Sequence, residues 1–182
     1  KLKIEAYDNY GLTEIIGPGV AFECGSHSGL HVNEDHFILE IINPETGEEV
    51  PPGAPGELVF TTITKQGFPL IRYRTGDISA LVEGDCSCGR TLMRISRISG
   101  RTDDMIIVDG RNIFPSNIEE ILFEIEGVEP HFQIVLTREG GVEQREIRVE
   151  VTPNFLPVDG IRKVQKFQEQ VSQHMVSRLG IH

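Results

Sequence analysis

Proline and glycine divide the first hundred residues into short segments, and this punctuation limits what they can form. Asn43–Gly47 is typical of a turn, and Pro51–Gly56 of a second, stiffer connector. The apolar run His36–Ile42 precedes the first of these, and the strand-like segment Glu57–Thr62 follows the second. Several short strands with such punctuation predict a small barrel or a distorted sheet.

The pattern changes after about residue 100, where helical spacing appears beside strands. Met105–Val108 is a short apolar strand. Ser116, with Glu119 three residues later, predicts a capping box at a helix start, and Gly127 predicts the helix end.

Two further strands and a final helix are predicted in the second half. Phe132–Leu136 is strand-like and precedes a turn at Gly140-Gly141, and the returning strand alternates apolar and charged residues, which implies one buried face. The core face of the final helix is predicted to consist of Ile161, Val164, Phe167, Val171, Met175 and Leu179. The fold class is therefore α+β, with a strand-rich part over residues 1–102 and a compact α+β domain over residues 103–182.

Composition and charge exclude several classes of function. The 182 residues carry a net charge of −11, spread almost evenly over both halves, so a basic face for nucleic acid is not expected. No apolar run approaches the length of about 20 residues that spans a bilayer. The three cysteines, an odd number without a secretory signal, favour the cytoplasm. Because the chain begins at Lys1 without an initiator Met, we expect a fragment of a longer protein.

The segment Tyr10-Gly11-Leu12-Thr13-Glu14 carries side chains suited to a nucleotide. A glycine lets the backbone approach a ligand, and a threonine hydroxyl can bond a phosphate oxygen. A glutamate can hold Mg²⁺, which prefers oxygen ligands, and an aromatic ring can stack on a base. Taken alone, these five residues favour an ordinary turn over a ligand site.

A second segment, Tyr73-Arg74-Thr75-Gly76-Asp77, places an acid directly after a glycine turn. Such an acid can accept hydrogen bonds from two vicinal hydroxyls, as an acidic residue does with ribose in dinucleotide folds. The alternative is an aspartate in an ordinary turn.

A third segment makes the pattern specific. It runs from Gly100 to Glu119 and reads G-R-T-D-D-M-I-I-V-D-G-R-N-I-F-P-S-N-I-E. The three segments, in this order, resemble the signature of adenylate-forming ligases, and the residues between them are most similar to phenylacetate–CoA ligases. The resemblance covers nearly the whole chain. It implies ATP-dependent activation of an aryl acid, with phenylacetate as the expected acid, and thioester formation with coenzyme A.

The resemblance also implies a role for each matching position. Tyr10 and Gly11 would lie at the nucleotide, with the Tyr10 ring against adenine; Thr13 would contact the α-phosphate, and Glu14 would hold Mg²⁺. Asp77 would bind the ribose hydroxyls. The remaining implied roles are Arg101 at the ribose or phosphates, Asp103 as the hinge and Gly110 in the coenzyme A tunnel.

Residues 1–102 would then be the β-rich end of a large AMP-binding domain, a distorted barrel, and residues 103–182 a truncated lid domain. The phosphate loop of the family lies upstream of this chain, and its adenylation lysine lies beyond His182. Gly25–Gly29 follows the adenine segment, so we interpret it as a plain loop. We therefore expect this polypeptide alone to be inactive.

The cysteines suggest a metal. Cys86 and Cys88 form a tight pair on a glycine turn, and Cys24 and His31 lie in the same half. Four such ligands suit tetrahedral Zn²⁺ in a closed, structural site. His27 and His36 are alternative fourth ligands, and three unligated thiols are the alternative to any metal.

Three functional interpretations remain open from the sequence. The first is an aryl–CoA ligase that uses ATP, Mg²⁺ and coenzyme A. The second is an adenylating relative with a different acid or acceptor, and the third is a non-catalytic, zinc-stabilised interaction domain. The retained Thr13, Glu14, Asp77 and Arg101 count against the third. A homodimer is also left open.

Overall fold

A computed structural model describes residues 3–108, 111–139, 142–152 and 160–180. The chain divides into two compact units, Lys1–Asp103 and Asp104–His182. The sequence analysis placed the domain boundary between residues 102 and 103, one residue before this division. Each unit has its own hydrophobic core.

The first unit is built from eight strands. They are β1 (Asn9–Leu12), β2 (Gly17–Glu23), β3 (Leu30–Val32), β4 (Phe37–Ile42), β5 (Pro55–Thr62), β6 (Tyr73–Val82), β7 (Arg94–Ile95) and β8 (Gly100–Arg101). The two strands predicted before and after the proline connectors are thus confirmed as β4 and β5. Strand β5 begins two residues earlier than predicted, at Pro55, which pairs with Ala80.

All pairings in this sheet are antiparallel, in the order β1-β2-β3-β7-β6-β5-β4, with β8 on β6. The sheet folds over one core in which the Tyr10 and Phe37 rings both contact Phe60. Within residues 3–103, no pairing joins β1 to β4. The predicted barrel is therefore open at this edge.

In its described residues, the second unit combines two hairpins with two helices. Its elements are β9 (Ile106–Val108), β10 (Arg111–Ile113), α1 (Pro115–Phe123), β11 (Val128–Glu139), β12 (Val142–Val151) and α2 (Gly160–Leu179). Strand β10, which the sequence did not predict, pairs with β9. The long hairpin β11–β12 confirms the predicted strand pair, and Ile147 and Val149 pack on the core as the alternation indicated. The turn at Gly140-Gly141 lies outside the described residues.

The boundaries of α1 differ from the prediction. The helix begins at Pro115, with Phe114 as its N-cap, and the Phe114 N–H donates to Asn117 Oδ1 at 3.0 Å. Proline suits the first helical position because its φ is preset and it has no N–H to satisfy. The predicted capping box from Ser116 to Glu119 is therefore wrong. The helix also ends at Phe123, four residues before Gly127.

Helix α2 covers the second core with one face. Val171, Met175 and Leu179 pack there, as predicted. Val164 does not, because its side chain is 36% exposed. The Ile161 side chain lies outside the described part of the structure. Among the described residues, no helix has the length and apolar composition needed to cross a membrane.

Candidate nucleotide site and metal centre

The Tyr10–Glu14 segment occupies the end of β1 and the turn into β2. Gly11 lies so close to the returning strand that a Cβ at this position would be 2.1 Å from the Gly17 carbonyl oxygen. Any other residue would push the two strands apart, so the glycine is required by close approach. The turn exposes Thr13 and Glu14 to solvent, and the Thr13 hydroxyl donates to Glu14 Oε2 at 3.2 Å.

The second segment forms a bulge in β6. Glu57 pairs with Ile78 and Val59 with Arg74, so Leu58 alone stands opposite Thr75, Gly76 and Asp77. Thr75 stabilises the bulge, because its hydroxyl donates to the Leu58 carbonyl at 3.0 Å and accepts from the Asp77 N–H at 3.0 Å. Bulges redirect side chains out of the regular alternation. Here the bulge determines where the Asp77 carboxylate points.

Glu57 is a buried residue that the sequence analysis missed. It is 3% exposed, and its Oε1 accepts the Gly76 N–H at 3.1 Å while its Oε2 pairs with Arg74. Gly76 has φ +79°, and a Cβ there would lie 3.0 Å from Arg101 Nη2. The available signal was one carboxylate at the start of the otherwise apolar run Glu57–Phe60. Glu57 thus satisfies the backbone donor that the bulge leaves unpaired.

Asp77 is the point where the three segments meet. The residue is 9% exposed, its Oδ2 accepts the Tyr10 hydroxyl at 2.7 Å and its Oδ1 pairs with Arg101 Nη1 at 2.7 Å. Burial is the larger cause, and the hydrogen bond to Asp77 the second, of a raised pKa of Tyr10. The phenol therefore stays protonated and donates. Each carboxylate oxygen can accept more than one hydrogen bond, so Asp77 keeps capacity for further hydroxyl donors.

Arg101 links Asp77 to the end of the first unit. Its Nε and Nη2 donate to the two carboxylate oxygens of Asp103 at 2.9 and 3.1 Å. This fork lowers the pKa of Asp103, and the same bonds raise that of Arg101. One guanidinium therefore contacts both the proposed ribose acid and the proposed hinge. Gly110 lies outside the described residues, so its role stays a prediction.

The predicted metal ligands converge. The ligand atoms of Cys24, His31, Cys86 and Cys88 all lie within 4.8 Å of one another. The Cys24 Sγ is 3.4 Å from His31 Nε2 and 3.6 Å from Cys86 Sγ, and the Cys88 Sγ is 3.5 Å from the same nitrogen. His31 lies on β3 with no exposed surface, and its Nδ1 has no hydrogen-bond partner within the described structure.

The alternative histidines lie in other environments. His27 Nδ1 is 3.3 Å from Glu23 Oε2, and its ring stacks on Tyr7 with centroids 5.1 Å apart. His36 Nδ1 is 2.8 Å from the Thr64 hydroxyl oxygen. The geometry therefore groups His31, and neither alternative, with the three cysteines.

Ser26 is a second residue that the sequence analysis missed. Its hydroxyl lies 2.9 Å from Cys24 Sγ and 3.0 Å from Cys86 Sγ. The Ser26 hydroxyl is the largest of several hydrogen-bonding influences, backbone N–H groups among them, that lower the pKa of Cys24 to about 7 and that of Cys86 to about 5. Metal ligation requires the thiolate form, so this environment suits a cation. The only sequence signal was a serine two residues after a cysteine.

Comparison with known proteins finds relatives along the whole chain. A family model described as AMP-binding enzyme C-terminal domain matches residues 110–182. The chain is 41% identical to the phenylacetate-coenzyme A ligase of Thermus thermophilus over 99% of its own length and 43% of that protein. It is 42% identical to the Escherichia coli enzyme of the same name, over its full length and 41% of that protein.

A solved structure shares the fold. A 2-hydroxyisobutyryl-CoA ligase in the postadenylation state superposes with a TM-score of 0.84 and 29% identity, over 97% of this chain and 37% of that one. The chain thus spans about two fifths of the length of the relatives it matches. In sequence and fold, the chain matches the C-terminal part of adenylate-forming ligases, the phenylacetate-coenzyme A ligases among them.

Proposed function

We propose that the longer protein containing this chain activates a carboxylic acid with ATP and transfers the acyl group to coenzyme A. The proposed acid is an aryl acid, with phenylacetate first, because relatives that match along the whole chain are phenylacetate-coenzyme A ligases. The chain itself would supply part of the nucleotide site. The identity of the acid rests on the relatives rather than on the residues described above.

The observation that carries this proposal is the convergence on Asp77. Tyr10, Asp77 and Arg101 come from three segments far apart in sequence, and their polar atoms meet at 2.7 Å. A buried carboxylate fixed by two donors is held in one orientation, and it can still accept the two hydroxyls of a ribose. Thr13 and Glu14, on the exposed turn after Tyr10, would then contact the α-phosphate and Mg²⁺.

The chemistry needs positioning and charge stabilisation more than a general base. A carboxylate oxygen of the acid attacks the α-phosphorus of ATP, and the bond to pyrophosphate breaks. The sulfur of coenzyme A then attacks the acyl carbonyl carbon, AMP leaves with the electrons of the broken C–O bond, and the thiol proton is released. Arg101 and a Mg²⁺ held by Glu14 would offset phosphate charge in the first step.

The direct test is ATP–pyrophosphate exchange by the full-length protein with a panel of aryl and aliphatic acids. We expect exchange to be greatest with phenylacetate, and AMP and a thioester to form only when coenzyme A is added. Exchange without a thioester would indicate a different acceptor. Absence of exchange with every acid would contradict the enzymatic proposal and favour a non-catalytic domain.

We also propose that the cluster of Cys24, His31, Cys86 and Cys88 binds one Zn²⁺. The support is the donor set: three sulfurs and one imidazole nitrogen within 4.8 Å suit tetrahedral zinc with no open position. Such a site would join the loop after β2 to the loop before β7. Elemental analysis of the protein as isolated should give one zinc per chain. A zinc content near zero, or one unchanged by Cys86→Ser with Cys88→Ser, would contradict it.

A further inference from the structure

Arg94, at the start of β7, is a buried cation without an obvious reason to be buried. It is 5% exposed. Its guanidinium donates to the Ser28 carbonyl at 2.6 Å, the Ser28 hydroxyl at 2.8 Å and the Gly84 carbonyl at 2.6 Å, with the Glu83 carbonyl at 3.4 Å. All four acceptors are neutral oxygens. A charge removed from water in this way is costly unless an opposite charge compensates for it.

The oxygens that Arg94 holds belong to the two loops that carry the cysteines. Ser28 lies between Cys24 and His31, and Gly84 lies two residues before Cys86. In addition, Arg94 stands directly opposite His31 in the pairing of β3 with β7. One side chain therefore connects both ligand-bearing loops and the strand that carries the histidine.

A chain of hydroxyl groups joins the guanidinium to the sulfurs. The Ser28 hydroxyl, which accepts from Arg94, lies 3.1 Å from the Ser26 hydroxyl and 3.7 Å from Cys86 Sγ. Ser26 in turn contacts the Cys24 and Cys86 sulfurs. Each hydroxyl has one proton, so a serine that accepts from the arginine side can donate onward. This arrangement allows donation to run from Arg94 through Ser28 and Ser26 to one of the two sulfurs, which suits an anionic sulfur.

We propose that Arg94 is the counterion and clamp of the metal centre, a positioning residue that neutralises the thiolate-rich complex and holds its two loops together. This inference rests on the proposed zinc site. Three thiolates and a neutral imidazole around Zn²⁺ carry a net charge of −1, which one guanidinium cancels. The negative charge of the complex would then compensate for the buried positive charge of Arg94. Groups that surround a metal's direct ligands typically change its affinity by about 10–100-fold when they are lost.

The test compares metal affinity in folded variants. Zinc affinity is measured by competition with a chromophoric chelator, and Co²⁺ is used as a spectroscopic probe of a tetrahedral, thiolate-containing site. We expect Arg94→Met to weaken binding by about 10–100-fold, and Arg94→Lys, which keeps the charge, to weaken it by less. Arg97→Met is the matched control, because Arg97 is close in sequence but 71% exposed and pairs with Asp8 and Glu23. Its affinity should equal that of the wild type.

The possible results distinguish failure of the proposed zinc site from failure of the proposed role of Arg94. A wild-type protein that binds neither Zn²⁺ nor Co²⁺ would overturn the zinc site itself. Wild-type binding with unchanged affinity in Arg94→Met would overturn only the role of Arg94, and equal losses in Arg94→Met and Arg94→Lys would overturn the counterion role. If Arg94→Met does not fold, Ser28→Ala replaces it, since it removes the hydroxyl link but keeps the arginine. A loss of about tenfold then supports the proposal, and wild-type affinity overturns it.

Discussion

At the scale of single residues, the two oxygens of Asp77 predict graded effects of substitution. Asp77→Ala removes the proposed ribose acceptor, so ATP binding by the full-length protein should weaken by about 1.5–3 kcal/mol. Tyr10→Phe removes one donor to Oδ2 but keeps the carboxylate and its pair with Arg101, so its loss should be smaller. Calorimetric titration with ATP measures both.

Two further measurements make this prediction specific. Asp77→Asn keeps the size of the side chain and one oxygen acceptor, so its affinity should fall between those of Asp77→Ala and Tyr10→Phe. Circular dichroism must show each variant folded, because Asp77→Ala also leaves the buried Tyr10 hydroxyl without its acceptor. ATP affinity that is unchanged in Asp77→Ala would remove Asp77 from the site.

At the scale of elements, the bulge of β6 depends on Glu57 from the neighbouring strand. Glu57→Ala leaves the Gly76 N–H without its acceptor and breaks the pair with Arg74. We expect the first unit to lose about 1–3 kcal/mol of its free energy of unfolding, and the KM for ATP to rise because Asp77 follows the loosened turn. Urea unfolding and steady-state kinetics of the full-length protein give the two quantities.

A matched control exists on the next strand. Glu40 of β4 also pairs with an arginine, Arg72, but the Glu40 side chain is 20% exposed whereas that of Glu57 is only 4% exposed. Glu40→Ala should therefore cost no more than about 1 kcal/mol, as exposed ion pairs do. If Glu57→Ala and Glu40→Ala have equal effects on stability and KM, then the Glu57 carboxylate does not position the bulge.

The positions of the strands were predicted from the sequence more accurately than the register between strands and the start of helix α1. Strands β4 and β5 are dense apolar runs between prolines and glycines, so their positions followed from the pattern alone. The β6 bulge was not predictable, because it depends on the register between β5 and β6 and on the reach of Glu57. The start of α1 was misplaced for a related reason: Asn117 reaches back to Phe114, although Ser116 and Glu119 offered the more familiar pattern.

The same contrast holds for the candidate site, where the sequence selected residues but not their contacts. Motif residues such as Asp77 and Arg101 were selected from the sequence, but their direct contact at 2.7 Å required the fold. The sequence favoured His31 as the fourth metal ligand but left His27 and His36 as alternatives. The fold ranks them, because His31 lies in a fully buried three-residue strand beside the cysteines, whereas His27 contacts Glu23.

At the scale of the whole molecule, the division of the chain next to Asp103 predicts how a hinge substitution acts. Asp103→Pro fixes φ near −65° and should block rotation of the second unit. We expect one half-reaction to survive and the other to fail, because a hinge at Asp103 would let one site run the two steps in two orientations. Pyrophosphate exchange measures the first step, and thioester formation from a preformed acyl-adenylate measures the second.

Asp103→Ala is the control for the lost carboxylate. It breaks the fork with Arg101 but leaves the backbone free to turn, so both half-reactions should continue at reduced rates. Equal loss of both steps in Asp103→Pro, with the fold intact, would mean that Asp103 is not the pivot.

Metal removal should affect the two units unequally, because all four proposed ligands lie within Lys1–Asp103. A chelator should therefore increase amide exchange around Cys24–His31 and Cys86–Cys88, and lower the stability of the first unit. The second unit, with its own core around Ile121 and Met175, should keep its protection. Because protons compete with the metal for the thiolates, acidification should release zinc and reproduce the same pattern. Hydrogen exchange followed by mass spectrometry, with and without chelator, measures this. Equal loss of protection in both units, or no loss in either, would contradict a zinc ion that stabilises the first unit alone.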